Sequence, residues 1–118
     1  MVLVDTSVWV AHLRHGAIGL GALLNDGRVV CHPFIVGELA CGNLHNRSEI
    51  LVHLQALPQA IPAEPEEVMR FIENYRLMGE GLGYIDMHLL ASALLTKVPL
   101  WTLDQKLHEV AVKLKLAP

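Results

Sequence analysis

The first ten residues, MVLVDTSVWV, limit what this chain can build. Val2, Leu3 and Val4 have no polar residue between them, which is the pattern of a strand covered on both faces. Successive side chains point to opposite sides of a sheet, so a short, wholly apolar strand calls for helices on each side of it. The same strand runs directly into a carboxylate, Asp5. Any fold the sequence adopts has to bury the strand and still house that charge.

Strand and helix patterns alternate along the rest of the chain, which predicts an α/β fold with a short, mostly parallel sheet. Residues 7–13 predict a helix capped by Thr6 or Ser7. Residues 19–25 predict a short second helix, and RVVCH (28–32) a second strand. Pro33 opens a helix through Ala40, a position where its missing N–H costs nothing. Gly42 and Asn43 break it. A helix over 48–57 follows, with Ser48 as cap and Pro58 as stop. QAIP (59–62) reads as a brief edge strand. Acids fill the first turn of a helix over 64–78, and Val68, Phe71, Ile72 and Tyr75 form its core stripe. GEGLG (79–83) is a flexible connector. A long apolar helix over 84–95, a strand over 100–102 and a helix over 105–114 complete the pattern. No repeat, linker or low-complexity tract divides it, so residues 1–118 are expected to form one domain.

Of the 118 residues, 53% are hydrophobic and 18% charged, which excludes a disordered chain. No apolar run is long enough to span a bilayer, and the start lacks the basic and apolar regions of a signal peptide. The expected compartment is the cytosol. Cys31 and Cys41 form no CxxC pair and are expected as reduced, buried thiols. The net charge of −3 advertises no general affinity for nucleic acid. Four acids gathered in one site would account for −4 of it, however, leaving +1 elsewhere.

Four acids stand out. In parallel sheets, ligands bind outside the carboxyl ends of the strands. Asp5 ends the first strand and Asp104 follows the last, so both are expected at the same sheet edge. Either could instead merely cap the helix after it. Glu38, in PFIVGELAC, and Asp86, in GYIDMHLLASALL, are the lone acids of apolar helices. A carboxylate buried without a partner costs several kcal/mol. Neither helix offers Lys or Arg at helical spacing, whereas a shared divalent cation would serve all four acids. Mg²⁺ and Mn²⁺ favour oxygen ligands, polarise phosphoryl oxygens and ready water for in-line attack. Thr102, two residues before Asp104, offers a hydroxyl on the same strand. The set points to a metal-dependent nuclease, although the acids alone would also suit a phosphatase.

DTSVW, GELACG, GYIDMHLLASALL and LWTLD, in that order and spacing, resemble the four acidic motifs of the PIN domain. More narrowly the chain is similar to the VapC toxins of bacterial type II toxin–antitoxin pairs. The likeness spans essentially the whole chain and includes HPF before the second acid and GxGxG before the third. It implies a compact α/β/α sandwich, Mg²⁺- or Mn²⁺-dependent cleavage of RNA, and inhibition by a VapB-like antitoxin. Asp5, Glu38, Asp86 and Asp104 match the family's catalytic quartet, and Thr102 its supporting Ser/Thr. Asp5, Asp86 and Asp104 are the expected metal ligands, and a homodimer is expected. Glu80 departs from the pattern, since relatives often carry a basic residue there.

Other signals carry less. His12 and His15 have helical i, i+3 spacing but no third ligand, which argues against zinc. His32 and His88 read as hydrogen-bonded neighbours of the site, and Trp9 and Trp101 as core. A haloacid-dehalogenase-type phosphotransferase needs a second Asp where this chain has Ser7. A receiver domain needs an acidic pair after the first strand and an acceptor Asp on a middle strand, and RVVCH supplies none. The alternative that remains is a catalytically silent PIN-like module that binds RNA or protein.

Overall fold

A computed structural model describes residues 1–16 and 18–118. Within these residues three short strands form a fully parallel sheet in the order β2-β1-β3: β1 (Val2–Val4), β2 (Val29–Val30) and β3 (Leu100–Trp101). The central strand is the N-terminal one. Val2 and Leu3 lie opposite Val29 and Val30, while Leu3 and Val4 lie opposite Leu100 and Trp101. Leu3 and Val4 are fully buried although they face opposite sides of the sheet, so both faces are covered, as the opening residues require.

Among the described residues seven helices supply that cover: α1 (Thr6–His15), α2 (Leu20–Asn25), α3 (Pro33–Ala40), α4 (Arg47–Ala56), α5 (Pro65–Tyr75), α6 (Tyr84–Thr96) and α7 (Gln105–Lys113). Helices α1 to α4 pack among themselves, and α5 packs on α6, which in turn lies against β3. Leu20, Ile35, Leu89, Leu90, Leu100 and Leu107 are fully buried between these layers. A buried Leu or Ile contributes roughly 1.5–3 kcal/mol, so this core holds the short strands in register where their few ladder bonds could not. The result is the expected α/β/α arrangement.

Local departures from the sequence reading have local causes. The expected edge strand at 59–62 shrinks to a single parallel bridge between Cys31 and Gln59, held by bonds from the Cys31 amide to the Pro58 carbonyl and from the Ala60 amide to the Cys31 carbonyl, each 2.8 Å. Helix α1 starts one residue earlier than expected because Asp5, rather than Thr6 or Ser7, is its cap. Helix α4 likewise begins at Arg47 behind Asn46, which sits in the left-handed region and offers no side-chain cap. Helix α5 stops at Tyr75 because Arg76 turns into the left-handed region. Tyr75 then lies 48% exposed instead of in the core, leaving Val68 and Phe71 as the buried stripe. Trp9 is buried as expected, but Trp101 is half-buried. Cys31 is a buried free thiol, its pKa raised to about 11 by desolvation, whereas Cys41 is free and exposed.

His32 links the two layers. Its Nδ1 accepts from the Phe34 amide at 2.9 Å and so caps α3, which leaves the proton on Nε2, 3.1 Å from the Ser92 hydroxyl on α6. Ser92 also accepts from the Ala63 amide at 3.3 Å. The ring is 1% exposed, and burial, with the neighbouring His88 adding like-charge repulsion, lowers its pKa from 6.5 to about 4. Between those values the unfolded chain takes up a proton that the folded chain refuses, so His32 favours folding fully above pH 6.5 and loses that contribution as pH falls toward and through 4. Urea unfolding followed from pH 7.5 to pH 4 is expected to show stability falling with acid. His32→Asn, which keeps an acceptor for the cap, should make that slope shallower.

Candidate active site

Asp5 sits where β1 ends, and its amide donates to the Trp101 carbonyl at 2.9 Å, which joins the carboxyl ends of β1 and β3. Its side chain is 7% exposed. One oxygen, Oδ2, takes the Ser7 hydroxyl at 2.7 Å, the Thr102 hydroxyl at 2.8 Å and, more weakly, the Ser7 amide at 3.4 Å. Thr102 is itself buried, and its hydroxyl receives the Asp104 amide at 3.0 Å. The Ser7 hydroxyl in turn accepts from the Leu103 amide at 3.0 Å. Asp5 therefore caps α1, but it also ties β1 to the turn after β3. A helix cap alone needs none of these longer-range bonds.

The other three acids are fixed in the same manner, each through one oxygen. Asp104 caps α7, its Oδ1 accepting from the Leu107 amide at 2.9 Å. Asp86, in the first turn of α6, accepts the Gly83 amide on Oδ2 at 3.2 Å. Glu38 accepts the Thr6 hydroxyl on Oε1 at 2.8 Å, which brings α3 to the start of α1. The second oxygen of every one of the four accepts no hydrogen bond among the described residues. One oxygen of each carboxylate is thus committed to the scaffold and the other left available.

Their charges converge. The Asp86 carboxyl has its pKa raised, first by burial and then by the negative charges of Asp5, Asp104 and Glu38, while the Gly83 amide opposes the rise. All four acids therefore share one field, and Asp5 and Asp104 lie together at the carboxyl edge of the sheet, as the positional argument requires of those two. Burial differs from the sequence expectation. Asp5 is buried and Asp86 half-buried, but Glu38 and Asp104 are exposed. Solvent, rather than a buried partner, is what tolerates those two on their helices.

The donor set is all oxygen, crowded and negative, which suits a hard divalent cation. Among the described residues, no three His, Cys, Asp or Glu side chains are arranged to clasp a metal unaided. Mg²⁺ typically takes one or two carboxylates and keeps several waters, so the open crevice fits such an ion with its waters retained. His32 and His88 lie beside this region in a chain of edge-on rings with Phe34 and Tyr84, and burial lowers the pKa of both imidazoles. His32 is hydrogen-bonded, as expected, whereas His88 makes no hydrogen bond among the described residues and contributes ring packing.

Two residues escaped the sequence reading. The sequence offers Ser7 as a possible cap and as the residue that stands where a second Asp would be, yet its hydroxyl joins Asp5 to Thr102 and to the Leu103 amide. The D-x-S spacing at the end of the strand was the available signal. Lys106 lies across the connector: a side chain at Gly81, where φ is +82°, would meet the lysine Cδ and Nζ at 3.0 Å. Gly81, Asp104 and Lys106 line a shared open recess of about 610 Å³ at the edge of the crevice. Glu80 meanwhile pairs with Lys113 at 3.2 Å, an exposed bridge that adds little to stability.

Comparison with known proteins gives a consistent answer. Residues 2–113 match the family model of the PIN domain. The chain is 44% identical over 108 residues to Ribonuclease VapC32 of Mycobacterium tuberculosis, in strains CDC 1551 and H37Rv alike, across 91% of this chain and 87% of the relative.

The crowded crevice has a measurable consequence. Two like charges 5 Å apart repel by roughly 1 kcal/mol in water and by about 3 kcal/mol at an effective dielectric near 20. Asp86→Asn removes one charge from the field yet keeps an acceptor for the Gly83 amide. In EDTA at pH 7.5 the variant is expected to melt a few degrees above the parent. A lower melting temperature would show that Asp86 serves the fold more than it strains it.

Proposed function

The chain belongs to the PIN-domain family, and from that premise we propose that it is an endoribonuclease toxin of the VapC kind, dependent on Mg²⁺ or Mn²⁺. One observation carries the reading: four carboxylates on four separate elements converge at the sheet edge, each with one oxygen held by the fold and one left over. The alternative of a silent scaffold gives no reason to maintain that mutual repulsion.

In this reading the free oxygens of Asp5, Asp86 and Asp104 would hold the ion, and Glu38 would hold or orient a water. When bound, the ion supplies positive charge for a phosphate oxygen and acidifies water. The protein's own contribution is placement. Ser7 and Thr102 fix the Asp5 carboxylate in one rotamer, the Gly83 amide fixes Asp86, and the Leu107 amide fixes Asp104. Such preorganisation saves the reorganisation that free side chains would need during reaction. Water attacking phosphorus in line expels the 3′ oxygen, so the products carry a 5′-phosphate and a 3′-hydroxyl. No 2′-hydroxyl nucleophile is needed.

The test is cleavage of single-stranded or looped RNA by the purified chain. Activity is expected with Mg²⁺ or Mn²⁺, to vanish in excess EDTA, and to fall at least 100-fold in Asp5→Asn or Asp104→Asn. Products bearing 2′,3′-cyclic phosphate, or full activity in EDTA, would overturn the mechanism.

We further propose a small VapB-like antitoxin as partner, a homodimer as the free state and the cytosol as the compartment. No helix among the described residues is long and apolar enough to cross a membrane. An apolar recess of about 280 Å³ among α1, α2 and α4, lined by Leu24, Ile50 and Leu54, supports an antitoxin seat. The Trp9 indole N–H and His12 Nδ1 are buried there without a hydrogen-bond partner among the described residues. At the acid crevice a basic residue of the same partner, best an arginine, would pair bidentately with the carboxylates. The exposed Tyr75, Leu94 and Leu95 border a second recess between α5 and α6 that supports the dimer contact. Co-expression with the adjacent reading frame should yield a complex larger than the free dimer and without ribonuclease activity. Purification of this chain alone, with activity unchanged beside that polypeptide, would contradict the partner.

A further inference from the structure

We propose that a recess beside Glu38 is a subsite for one unstacked nucleobase of the RNA, with Arg14 holding the phosphate attached to it. This rests on the ribonuclease reading and adds the residues that would give it sequence preference.

The recess measures about 240 Å³ and opens between α1, α3 and the segment after α3. Thr6 and Glu38, already joined by a 2.8 Å hydrogen bond, both line it, so it adjoins the acids. Val10 on α1 with Leu39 and Leu44 supplies apolar wall, and the exposed Asn43 and Arg14 also line it. The side chains of Asn43 and Arg14 make no hydrogen bond or ion pair among the described residues. Arg14 also lies in the last turn of α1, where the helix dipole favours a cation without neutralising it.

Size, wall chemistry and charge order together select the occupant. Sites for drug-sized ligands span roughly 300–1,000 Å³, so this one has room for a single ring system. It has no room for a helix about 10 Å across. Apolar walls suit the two faces of a flat base, and the exposed Asn43 amide suits its hydrogen-bonding edge, the usual way a splayed-out base is read. The Glu38 carboxylate repels phosphate, and the exposed Arg14 guanidinium attracts it. A nucleotide therefore seats its base on the apolar wall with its phosphate on Arg14, and hands the chain on to the acids next door. The same geometry makes this pocket the place where one base next to the cut is distinguished from the others.

The experiment uses short single-stranded RNAs in which successive positions are made abasic, one per molecule. Binding to the Asp5→Asn protein is read by fluorescence anisotropy, and cleavage by the parent is read as kcat/KM. One abasic position near the cut is expected to weaken binding and lower kcat/KM about tenfold, or about 1.4 kcal/mol. Asn43→Ala and, separately, Val10→Phe should weaken intact RNA comparably and erase the sensitivity at that position. Arg14→Ala should weaken every RNA alike and reduce the salt dependence of binding by about one phosphate contact. Equal binding and cleavage at all abasic positions would overturn the subsite and leave the ribonuclease reading standing. So would an unchanged profile in both Asn43→Ala and Val10→Phe, including the case where these variants weaken only antitoxin binding. A position-dependent binding profile without any cleavage would support the subsite and overturn the ribonuclease reading. No RNA binding at all would overturn both.

Discussion

Everything at the active edge depends on the seam between β1 and β3. The Asp5 amide bonds to the Trp101 carbonyl, and the Thr102 hydroxyl bonds to the Asp5 carboxylate from 97 residues away in sequence. These two contacts turn a strand of three residues into a platform, because they align the first and last acids of the chain at one edge. A parallel strand pair needs a long crossover, and here the crossover is nearly the whole protein. It uses that length to deliver Glu38 and Asp86 to the same edge on α3 and α6. The opening puzzle of a buried strand running into a charge thus has a physical answer. Asp5 is tolerated because hydroxyls and amides take one of its oxygens, and the crevice leaves the other open.

Capping and a place in the shared acidic cluster are not rival explanations here. Asp5 and Asp104 each cap the helix that follows, and Asp86 bonds the backbone at the start of its own. A cap holds one carboxylate oxygen in place and thereby aims the other. The N-termini of α1, α6 and α7 present amides to the acids, which partly offsets the repulsion of the cluster. That offset is incomplete, since the Asp86 pKa still rises under the charge of the other three. A site that is costly when empty and favourable with a bound cation couples the ion to stability, by the general rule that whatever binds the folded state stabilises it.

Much of this was legible in the sequence because it rests on local rules. Three apolar residues without alternation fixed a doubly covered strand, Pro33 marked the start of α3, and the position of acids after strands predicted a shared edge. What stayed hidden depends on contacts between distant parts of the chain. Nothing in a sequence window shows that the Ser7 hydroxyl bridges Asp5 and the Leu103 amide, or that Tyr75 swings out once Arg76 enters the left-handed region. The exposure of Glu38 is likewise not visible in its apolar neighbours, because an apolar helix can still turn one face to solvent. The position of Lys106 depends on distant contacts in the same way, since its side chain lies against the bare backbone at Gly81.

The central claim is that the uncommitted oxygens of Asp5, Asp86 and Asp104 form one ion site, facing Glu38. Crystals of the protein soaked in Mn²⁺, with data collected at the manganese absorption edge, test it most directly. The account predicts anomalous density in the crevice, in contact with at least two of those three carboxylates through the oxygens the fold leaves free, and absent in Asp5→Asn crystals. Anomalous density confined to the histidines or the surface, with the four acids turned away from one another, would contradict it.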